Sequence, residues 1–448
     1  MTDEKPDFAG RRHRVFERLG PDVLLVAATP LRFKSGDTDY EYRPNSDLIY
    51  LAGVDDPGAV LILCGHAEEE RTVLFLPEAD ARAALWSGAR TAPDDAVDTY
   101  GVDAAYGLGE LEARFPSVVA GADRLFYRWG TSENLDRHVR KALTAGLSAR
   151  RRTGRGPVGV LESALLIDEL RLLKDPIEVE AIRAACAVTI AGHRAGIGAV
   201  APGAGEWAVE AQIEVAFRSG QAFGPAFSTI VGSGANACVL HYTRNDRTMQ
   251  AGELVLMDAG AELSHYCGDI TRTVPVSGTF TGEQRALYDV VEAARAAGVA
   301  ACGPGVACNA PHDAALQVIV EGLVELGVAS GSHEEVVESG RHGLYMPHKT
   351  SHWLGLDVHD VGDYVVDGAA RVLEPGMVMT IEPGLYFSPQ DESVPEALRG
   401  LGVRIEDDVL ITATGHENLT EELPTDPLAI EALMVELQSR PFTAGGPS

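Results

Sequence analysis

Short apolar runs that stop at an acidic residue recur along the C-terminal half of this chain. Residues 254–257 are apolar and lead into Asp258, and the β-rich run 270–274 begins directly after Asp269. Turn residues separate the two runs, so they predict a pair of antiparallel strands. An Asp at either place could simply cap a turn. However, a carboxylate at the end of a buried strand is costly unless a partner compensates it, and the two could face one point.

Two later runs show the same pattern. Residues 377–381 lead into Glu382, and residues 402–405 lead into Glu406. Four strands of one domain would then each have an acidic residue at one end. If the four carboxylates converge on one point, they raise each other's pKa values. Two divalent cations are the natural compensation, because their charge of +4 balances the four negative charges. A pair of metals can also activate a water molecule and stabilise a tetrahedral transition state.

A histidine-rich segment lies between these runs. Residues 347–362 contain His348, His352 and His359. A lone histidine is usually a structural residue, but three histidines beside glycines indicate a functional site. One imidazole added to oxygen ligands suits manganese, cobalt, iron or zinc.

The N-terminal part has a different pattern, which predicts an α/β domain over residues 1–165. Buried strands are predicted from apolar runs, and helices from later segments: strands at 23–28, 48–51, 59–63 and 72–76, and helices around 109–121 and 132–146. The basic, Gly- and Pro-containing stretch 149–157 is interpreted as a linker.

A second domain is predicted over residues 175–438. Asp175, Pro176 and Glu178 have the spacing of an N-cap, a first-turn proline and a capping glutamate, so a long helix should begin there and run to about residue 199. Further elements follow from the periodicity: helices at 206–219, 282–299 and 311–327, and strands at 226–232, 253–258, 269–276, 377–382 and 402–411. Helices kept apart from antiparallel strands indicate an α+β class.

Composition narrows the functional classes. The 448 residues are 45% hydrophobic and 23% charged, and no run of about 18 apolar residues predicts a membrane span. The charged N-terminus does not look like a signal peptide, and the six scattered cysteines fit a reducing compartment, so we expect a cytoplasmic protein. The net charge of −29 argues against nucleic acid and anionic membranes as partners.

Several motifs, in this order and spacing, resemble those of the pita-bread metallopeptidases. They are MDAG, GDITRT, SHWLGLDVHD, TIEPGLY and GVRIED, preceded in the N-terminal domain by YRPNSDLIYLAGVDDPGAVL. Within that group the chain is most similar to the aminopeptidase P family. The resemblance implies an α/β N-terminal domain of the creatinase/aminopeptidase P type, followed by an α+β pita-bread catalytic domain.

The resemblance also implies a site with two divalent metal ions, Mn²⁺ first and Co²⁺ or Zn²⁺ as alternatives. The implied metal ligands are Asp258, Asp269, His352, Glu382 and Glu406, with Asp269 and Glu406 bridging both ions. Glu382, His359 and His241 are the expected catalytic residues. The expected substrate-binding residues are His241, His348, His359, Arg404 and Trp86, the last at the cleft of a neighbouring subunit.

The implied activity is release of the first residue from peptides with proline at the second position. A prolidase that cuts only Xaa-Pro dipeptides has the same ligands and remains an alternative. A methionine aminopeptidase usually lacks such an N-terminal domain. A non-catalytic pita-bread module that binds peptides is the alternative from a different class, although such modules typically lose metal ligands. The family also implies a homo-oligomer, a dimer or a tetramer.

Overall fold

Two compact units make up this protein in the computed structural model, which describes residues 6–78, 80, 84–86 and 88–439. The N-terminal unit ends at Arg171 and the C-terminal unit begins at Leu172. Within the described residues, no helix combines the length and the apolar character that crossing a membrane requires.

The N-terminal unit is built on a mixed six-stranded sheet. Its strands are β1 (Val23–Ala27), β2 (Phe33–Ser35), β3 (Thr38–Asp39), β4 (Val60–Cys64), β5 (Thr72–Leu76), β6 (Ala104–Gly107), β7 (Leu125–Phe126) and β8 (Val160–Leu161). The sheet has the order β6-β5-β4-β1-β7-β8, and β2 pairs with β3 separately. The helices are α1 (Phe8–Leu19), α2 (Ser46–Ala52), α3 (Pro93–Tyr100), α4 (Leu111–Val119), α5 (Glu133–Thr153) and α6 (Ala164–Leu172). Strands and helices alternate, which confirms the predicted α/β class.

One predicted strand of this unit is wrong. Residues 48–51 belong to helix α2, because Asn45 caps its start by accepting a hydrogen bond from the Leu48 backbone N–H. Gly53 ends the helix in the left-handed conformation with φ 65°. All seven helical residues are buried, so the helix shows no polar face. A short apolar run of this kind cannot be assigned to strand or helix by periodicity alone.

The proposed linker at 149–157 is also wrong in its first half. Helix α5 continues through Thr153, and Gly154 caps its end with φ 78°. Arg150 in its last turn forms an ion pair of 2.6 Å with Asp123. The basic side chains therefore lie at a helix C-terminus, where positive charge is favourable.

Four helices of the C-terminal unit begin and end close to the predicted residues: α7 (Pro176–Ala199), α8 (Glu206–Ser219), α9 (Gly282–Ala300) and α10 (Ala310–Glu325). Two further helices, α11 (His333–Glu338) and α12 (Pro427–Gln438), were not predicted. At the start of α7, Asp175 accepts from the backbone N–H of Glu178, and the Glu178 carboxylate accepts from that of Asp175 at 3.0 Å. The predicted capping box is confirmed.

The strands of this unit pair antiparallel. They are β9 (Gly224–Pro225), β10 (Ile230–Ser233), β11 (Leu254–Ala259), β12 (Ala261–Leu263), β13 (Tyr266–Cys267), β14 (Ile270–Pro275), β15 (Val365–Val366), β16 (Ala369–Ala370), β17 (Val378–Ile381), β18 (Gly384–Tyr386), β19 (Gly402–Arg404), β20 (Asp407–Ile411) and β21 (His416–Asn418). The ladders are β10-β11-β14, β9-β12-β13, β17-β20-β21, β18-β19 and β15-β16. The predicted strand 402–411 is broken at residues 405–406. The α+β class is confirmed.

The core beneath the strands fixes the position of their ends. Helices α7, α8 and α12 pack Ile190, Phe217 and Met434 against Met257 and Val274 on β11 and β14. All six residues of β11 are buried. Strand β11 also pairs with β10 on one side and β14 on the other, so the residues at its end have fixed partners.

Candidate active site

A cavity of about 600 Å³ lies in the C-terminal unit where the strand ends meet. Its lining includes nine of the ten residues that the sequence analysis selected: Asp258, Asp269, His352, Glu382, Glu406, His241, His348, His359 and Arg404. Three different ladders and the histidine-rich segment contribute to it. The tertiary fold therefore gathers groups that are more than a hundred residues apart in the sequence.

Two ladders hold three of the acids beside each other. Asp258 on β11 lies opposite Thr271 on β14, and Asp269 directly precedes β14. The backbone N–H of Glu406 donates to the carbonyl of Thr271 at 3.1 Å. The Thr271 hydroxyl donates to Glu406 Oε2 at 2.7 Å. One threonine thus ties the Glu406 segment to β14.

The remaining acid and the histidine segment are held by β17. The backbone N–H of Thr380 donates to the carbonyl of His352 at 2.9 Å, and the N–H of Glu382 donates to that of Thr350 at 2.7 Å. The Thr380 hydroxyl also accepts from the His352 N–H at 3.1 Å. The segment therefore runs beside β17, and His352 and Glu382 face the same cavity.

Three of these side chains have the geometry of a metal-binding group. One ligand atom from each of Asp269, His352 and Glu406 lies within 4.8 Å of the others. His352 Nδ1 lies 3.0 Å from the Trp353 carbonyl, so it must donate its hydrogen there. This leaves Nε2, which lies 3.5 Å from Asp269 Oδ2, as the ring nitrogen that could bind a metal ion. Such a backbone contact is typical of metal-ligating histidines.

The electrostatics of the acids also fit a cation. Burial is the main cause that raises the pKa of Asp269 well above its ordinary value, followed by the Asp258 carboxylate. Burial and then Asp269 do the same to the pKa of Glu406, and burial raises the pKa of Glu382 to about 7. Among the described residues, Asp258 Oδ1 and Asp269 Oδ1 are buried without a hydrogen-bond partner. Unpaired buried carboxylate oxygens are costly, and a divalent cation would satisfy them.

The Arg404 side chain lies deep in this site. Its Nη2 donates to Asp258 Oδ2 at 2.6 Å, its Nη1 to the Tyr386 hydroxyl at 2.8 Å, and its Nε to Thr271 Oγ1 at 3.1 Å. All three nitrogens therefore have partners within the chain. Asp258 Oδ1 has no hydrogen-bond partner among the described residues and could bind another ligand.

His348 supports Arg404 through Tyr386. Its Nδ1 lies 2.8 Å from the Lys349 carbonyl and must donate to it. Burial lowers the pKa of His348 to about 4, so the ring is neutral and Nε2 accepts from the Tyr386 hydroxyl at 2.8 Å. Both ring nitrogens of His348 are therefore hydrogen-bonded within the chain.

The two other histidines line the open part of the cavity. The His359 ring lies 4.2 Å from that of His352, centroid to centroid. Burial, followed by the neighbouring His352, lowers the pKa of His359 below its ordinary value. A neutral imidazole still has one N–H to donate. His241 is exposed and lines the same cavity.

Family models cover both units. Residues 180–413 match the model described as Metallopeptidase family M24, and residues 8–127 match that of the aminopeptidase P N-terminal domain. The chain belongs to metallopeptidase family M24. It is therefore a hydrolase, and the three side chains that could hold a metal ion lie within the M24 match.

Curated relatives and solved structures match this M24 peptidase over almost its whole length. It is 40% identical to the Xaa-Pro aminopeptidase of Escherichia coli (strain K12), over 96% of this chain and 98% of that protein. It is 35% identical to the Xaa-Pro aminopeptidase of Haemophilus influenzae, over 96% and 97%. The structure of Pseudomonas aeruginosa aminopeptidase PepP has a TM-score of 0.94 at 38% identity, with 98% of this chain and 100% of that chain covered. An E. coli aminopeptidase P variant in complex with substrate has a TM-score of 0.92 at 39% identity, with 97% and 99% covered. The predicted pita-bread fold is confirmed.

Some residues of the M24 site had no role assigned from the sequence. Tyr386 and Thr271 contact Arg404, and Asp408 Oδ2 accepts the backbone N–H of Asp269 at 2.9 Å. Their positions in the sequence could have indicated these roles. Tyr386 follows the EPG turn, and Asp408 lies two residues after a proposed ligand, where strand alternation places it on the same face. Lys349 also lines the cavity, and its sequence position beside His348 is the corresponding signal.

Gly384 has a steric role next to these groups. A Cβ at this position would collide with the Tyr386 hydroxyl. Glycine therefore lets Tyr386 fold back over its own strand and reach Arg404. This explains in physical terms why the EPG turn ends in glycine.

Trp86 belongs to the N-terminal unit, and the residues described as lining the cavity all belong to the C-terminal unit. The Trp86 side chain is 88% exposed. Its role at the cleft of a neighbouring subunit stays a prediction.

Proposed function

We propose that this chain is a dinuclear-metal-dependent aminopeptidase that releases the N-terminal residue from peptides with proline at the second position. The carrying observation is that all five expected metal ligands line one cavity in a chain 40% identical, over nearly its full length, to a protein named Xaa-Pro aminopeptidase. The six cysteines are free thiols, which suits a reducing compartment. We therefore propose a cytoplasmic location, which cell fractionation can test.

We propose that Asp258, Asp269, His352, Glu382 and Glu406 would hold the metal ions, and that Asp269 and Glu406 would be shared between the two. Oxygen ligands with one imidazole favour Mn²⁺, and Co²⁺ or Zn²⁺ are alternatives. Two such ions would supply a hydroxide nucleophile at neutral pH and polarise the scissile carbonyl.

Glu382 is the proposed carrier of the proton. Its Oε1 lies 3.7 Å from His352 Nε2, and its Oε2 lies 3.7 Å from the His348 ring. A carboxylate at this position can accept a proton from the attacking water and deliver it to the proline nitrogen that leaves. That nitrogen needs a proton because it becomes the new free amine of the product.

Arg404 favours the aminopeptidase over the dipeptide-only prolidase. A prolidase has to bind the carboxylate of the proline, normally through the two-pronged fork of an arginine. Here each nitrogen of Arg404 already donates to Asp258, Tyr386 or Thr271. These contacts hold the guanidinium within the site, which supports a structural role for Arg404 rather than the role of a two-pronged carboxylate clamp.

A substrate panel tests this assignment. With Mn²⁺ bound, we expect Ala-Pro-Ala and longer Ala-Pro peptides to be cleaved with kcat/KM at least as high as Ala-Pro. Ala-Ala-Ala should be a poor substrate. Release of alanine measures each rate. Turnover of the dipeptide alone would move the assignment to prolidase, and binding without turnover of any peptide would indicate a non-catalytic module.

Replacement of the two cavity histidines should separate catalysis from metal binding. In His359→Ala and His241→Ala, we expect kcat to fall by about 10²–10³-fold, the usual cost of losing a donor to the developing oxyanion. Bound metal should be retained. His333→Ala, an exposed histidine of helix α11, is the matched control. Loss of metal together with activity would make the two histidines ligands, and an unchanged kcat would make them packing residues.

We also propose a homo-oligomer, a dimer or a tetramer, with Trp86 at the contact between subunits. The exposed Leu85 and Trp86 side chains support this proposal, because large exposed apolar groups often mark interfaces. Sedimentation velocity would contradict it by showing a monomer at micromolar concentration.

A further inference from the structure

A second cavity of about 480 Å³ lies in the C-terminal unit beside the active site. Cys238, Leu240, Tyr345, Tyr386, Ser388 and Asp391 are among the residues that line it. It takes no part in the hydrolysis described above. We call it the second cavity.

The second cavity adjoins the active site. Leu240 lines both cavities, and Tyr386 lines the second cavity while its hydroxyl contacts Arg404 and His348 of the active site. In the chain, Pro347 borders the second cavity and the next residue, His348, borders the active site. A peptide that extends from the active site past Leu240 would therefore reach the second cavity.

Tyr386 is a fixed wall rather than a mobile one. The side chain is only 6% exposed. Its hydroxyl accepts from Arg404 and donates to His348, each at 2.8 Å. Arg404 in turn contacts Asp258. The second cavity thus begins one side chain away from a proposed metal ligand.

The second cavity carries one negative charge. Asp391 is the only Asp, Glu, Lys, Arg or His among its described lining residues. Asp391 Oδ1 accepts from the Ser393 backbone N–H at 2.9 Å and from the Ser393 hydroxyl at 2.6 Å. These hydrogen bonds lower the pKa of Asp391, so it is ionised at neutral pH. The positive charge of Arg341 adds to that effect on the pKa of Asp391.

A peptide that continues beyond the proline needs space past the reacting bond. An extended chain advances about 3.3–3.6 Å per residue, so the one or two residues after the proline must lie beyond the reacting bond by roughly 4–7 Å. We propose that the second cavity binds these residues and that Asp391 gives a preference for basic side chains among them. This inference rests on the proposed aminopeptidase function.

Charge-matched peptides test the inference. The Mn²⁺-loaded protein is assayed with C-terminally amidated Ala-Pro-Lys-Ala, Ala-Pro-Glu-Ala, Ala-Pro-Ala-Lys and Ala-Pro-Ala-Glu, with Ala-Pro-Ala-Ala as the neutral reference. We expect kcat/KM for Lys over Glu to differ by about fivefold at one or both positions, the size of a partly exposed charge interaction. Salt at about 1 M should reduce this ratio, because the Debye length falls to about 3 Å.

The variants isolate the Asp391 charge. Asp391→Asn keeps the Oδ1 atom that accepts both hydrogen bonds from Ser393. It should bring the Lys-to-Glu ratio to about one, and Ala-Pro-Ala-Ala should still be cleaved. Asp391→Lys should invert the ratio. Glu392→Gln removes the charge of the next residue, which is exposed and does not line the second cavity, and should leave the ratio as in the wild type.

The two proposals fail in different ways. A wild-type ratio near one at both positions, or an undiminished ratio in Asp391→Asn, overturns the role of the second cavity while the aminopeptidase activity stands. If the metal-loaded wild type cleaves none of the five peptides, the proposed function fails and this inference fails with it.

Discussion

Asp269→Asn or Glu406→Gln should remove bound metal and lower kcat/KM by more than about 100-fold, because replacing residues that merely support a metal ligand already costs 10–100-fold. Both side chains are nearly fully buried and belong to the group whose ligand atoms lie within 4.8 Å of one another. An amide binds a divalent cation more weakly than a carboxylate does. Metal content by elemental analysis and release of alanine from Ala-Pro-Ala are the two measurements.

Chelation of the wild type provides the parallel experiment. Activity should disappear on removal of metal and return with Mn²⁺, with Co²⁺ and Zn²⁺ tested beside it. Asp313→Asn, an exposed carboxylate of helix α10, is the control for the amide substitution and should behave as the wild type. Full activity in metal-stripped Asp269→Asn protein would contradict the dinuclear site.

Glu382→Gln should lower kcat by about 10²–10⁴-fold, the range that a positioned proton carrier contributes. Glutamine has nearly the same shape, so packing around β17 is kept, but its amide cannot take up the proton. KM should change much less than kcat, since the substrate contacts remain. Steady-state kinetics with Ala-Pro-Ala, together with metal content, measure the effect.

Metal content decides how this result is interpreted, because Glu382 is also a proposed ligand. Activity that falls in proportion to bound metal would assign it to metal binding alone. Activity lost with metal retained would assign it to proton transfer. Glu374→Gln changes an exposed glutamate shortly before β17 and should leave both quantities unchanged.

The sequence predicted the elements of the catalytic unit well, because their signals are local. The capping box at Asp175 and the helical periodicity after it depend on residues within a few turns. The strands bearing Asp258 and following Asp269 were likewise readable from two β-rich runs divided by a turn. Residues 48–51 were assigned wrongly because a fully buried short helix has no polar face to reveal its period.

The residues that form the site could also be selected from the sequence. Acids at the ends of four apolar runs and a histidine-rich segment indicated a cation site, and the motifs around them matched a known family. The structure brings these residues to one cavity. Their roles as ligands and catalytic groups stay predictions that the variants above test.

By itself, the sequence determined the two-part α/β and α+β organisation and the set of residues around one cavity. Only the tertiary structure decided how those side chains are used. Arg404 and Asp258 are 146 residues apart, yet Arg404 Nη2 donates to Asp258 Oδ2 at 2.6 Å. The guanidinium is therefore held by the side chains of its own site. Likewise, the structure shows that both ring nitrogens of His348 are hydrogen-bonded within the chain. It also shows that Tyr386 lines a second cavity beside the active site. The physical reason is that side-chain direction depends on neighbours brought in by other strands, whereas strand and helix formation depends mainly on adjacent residues.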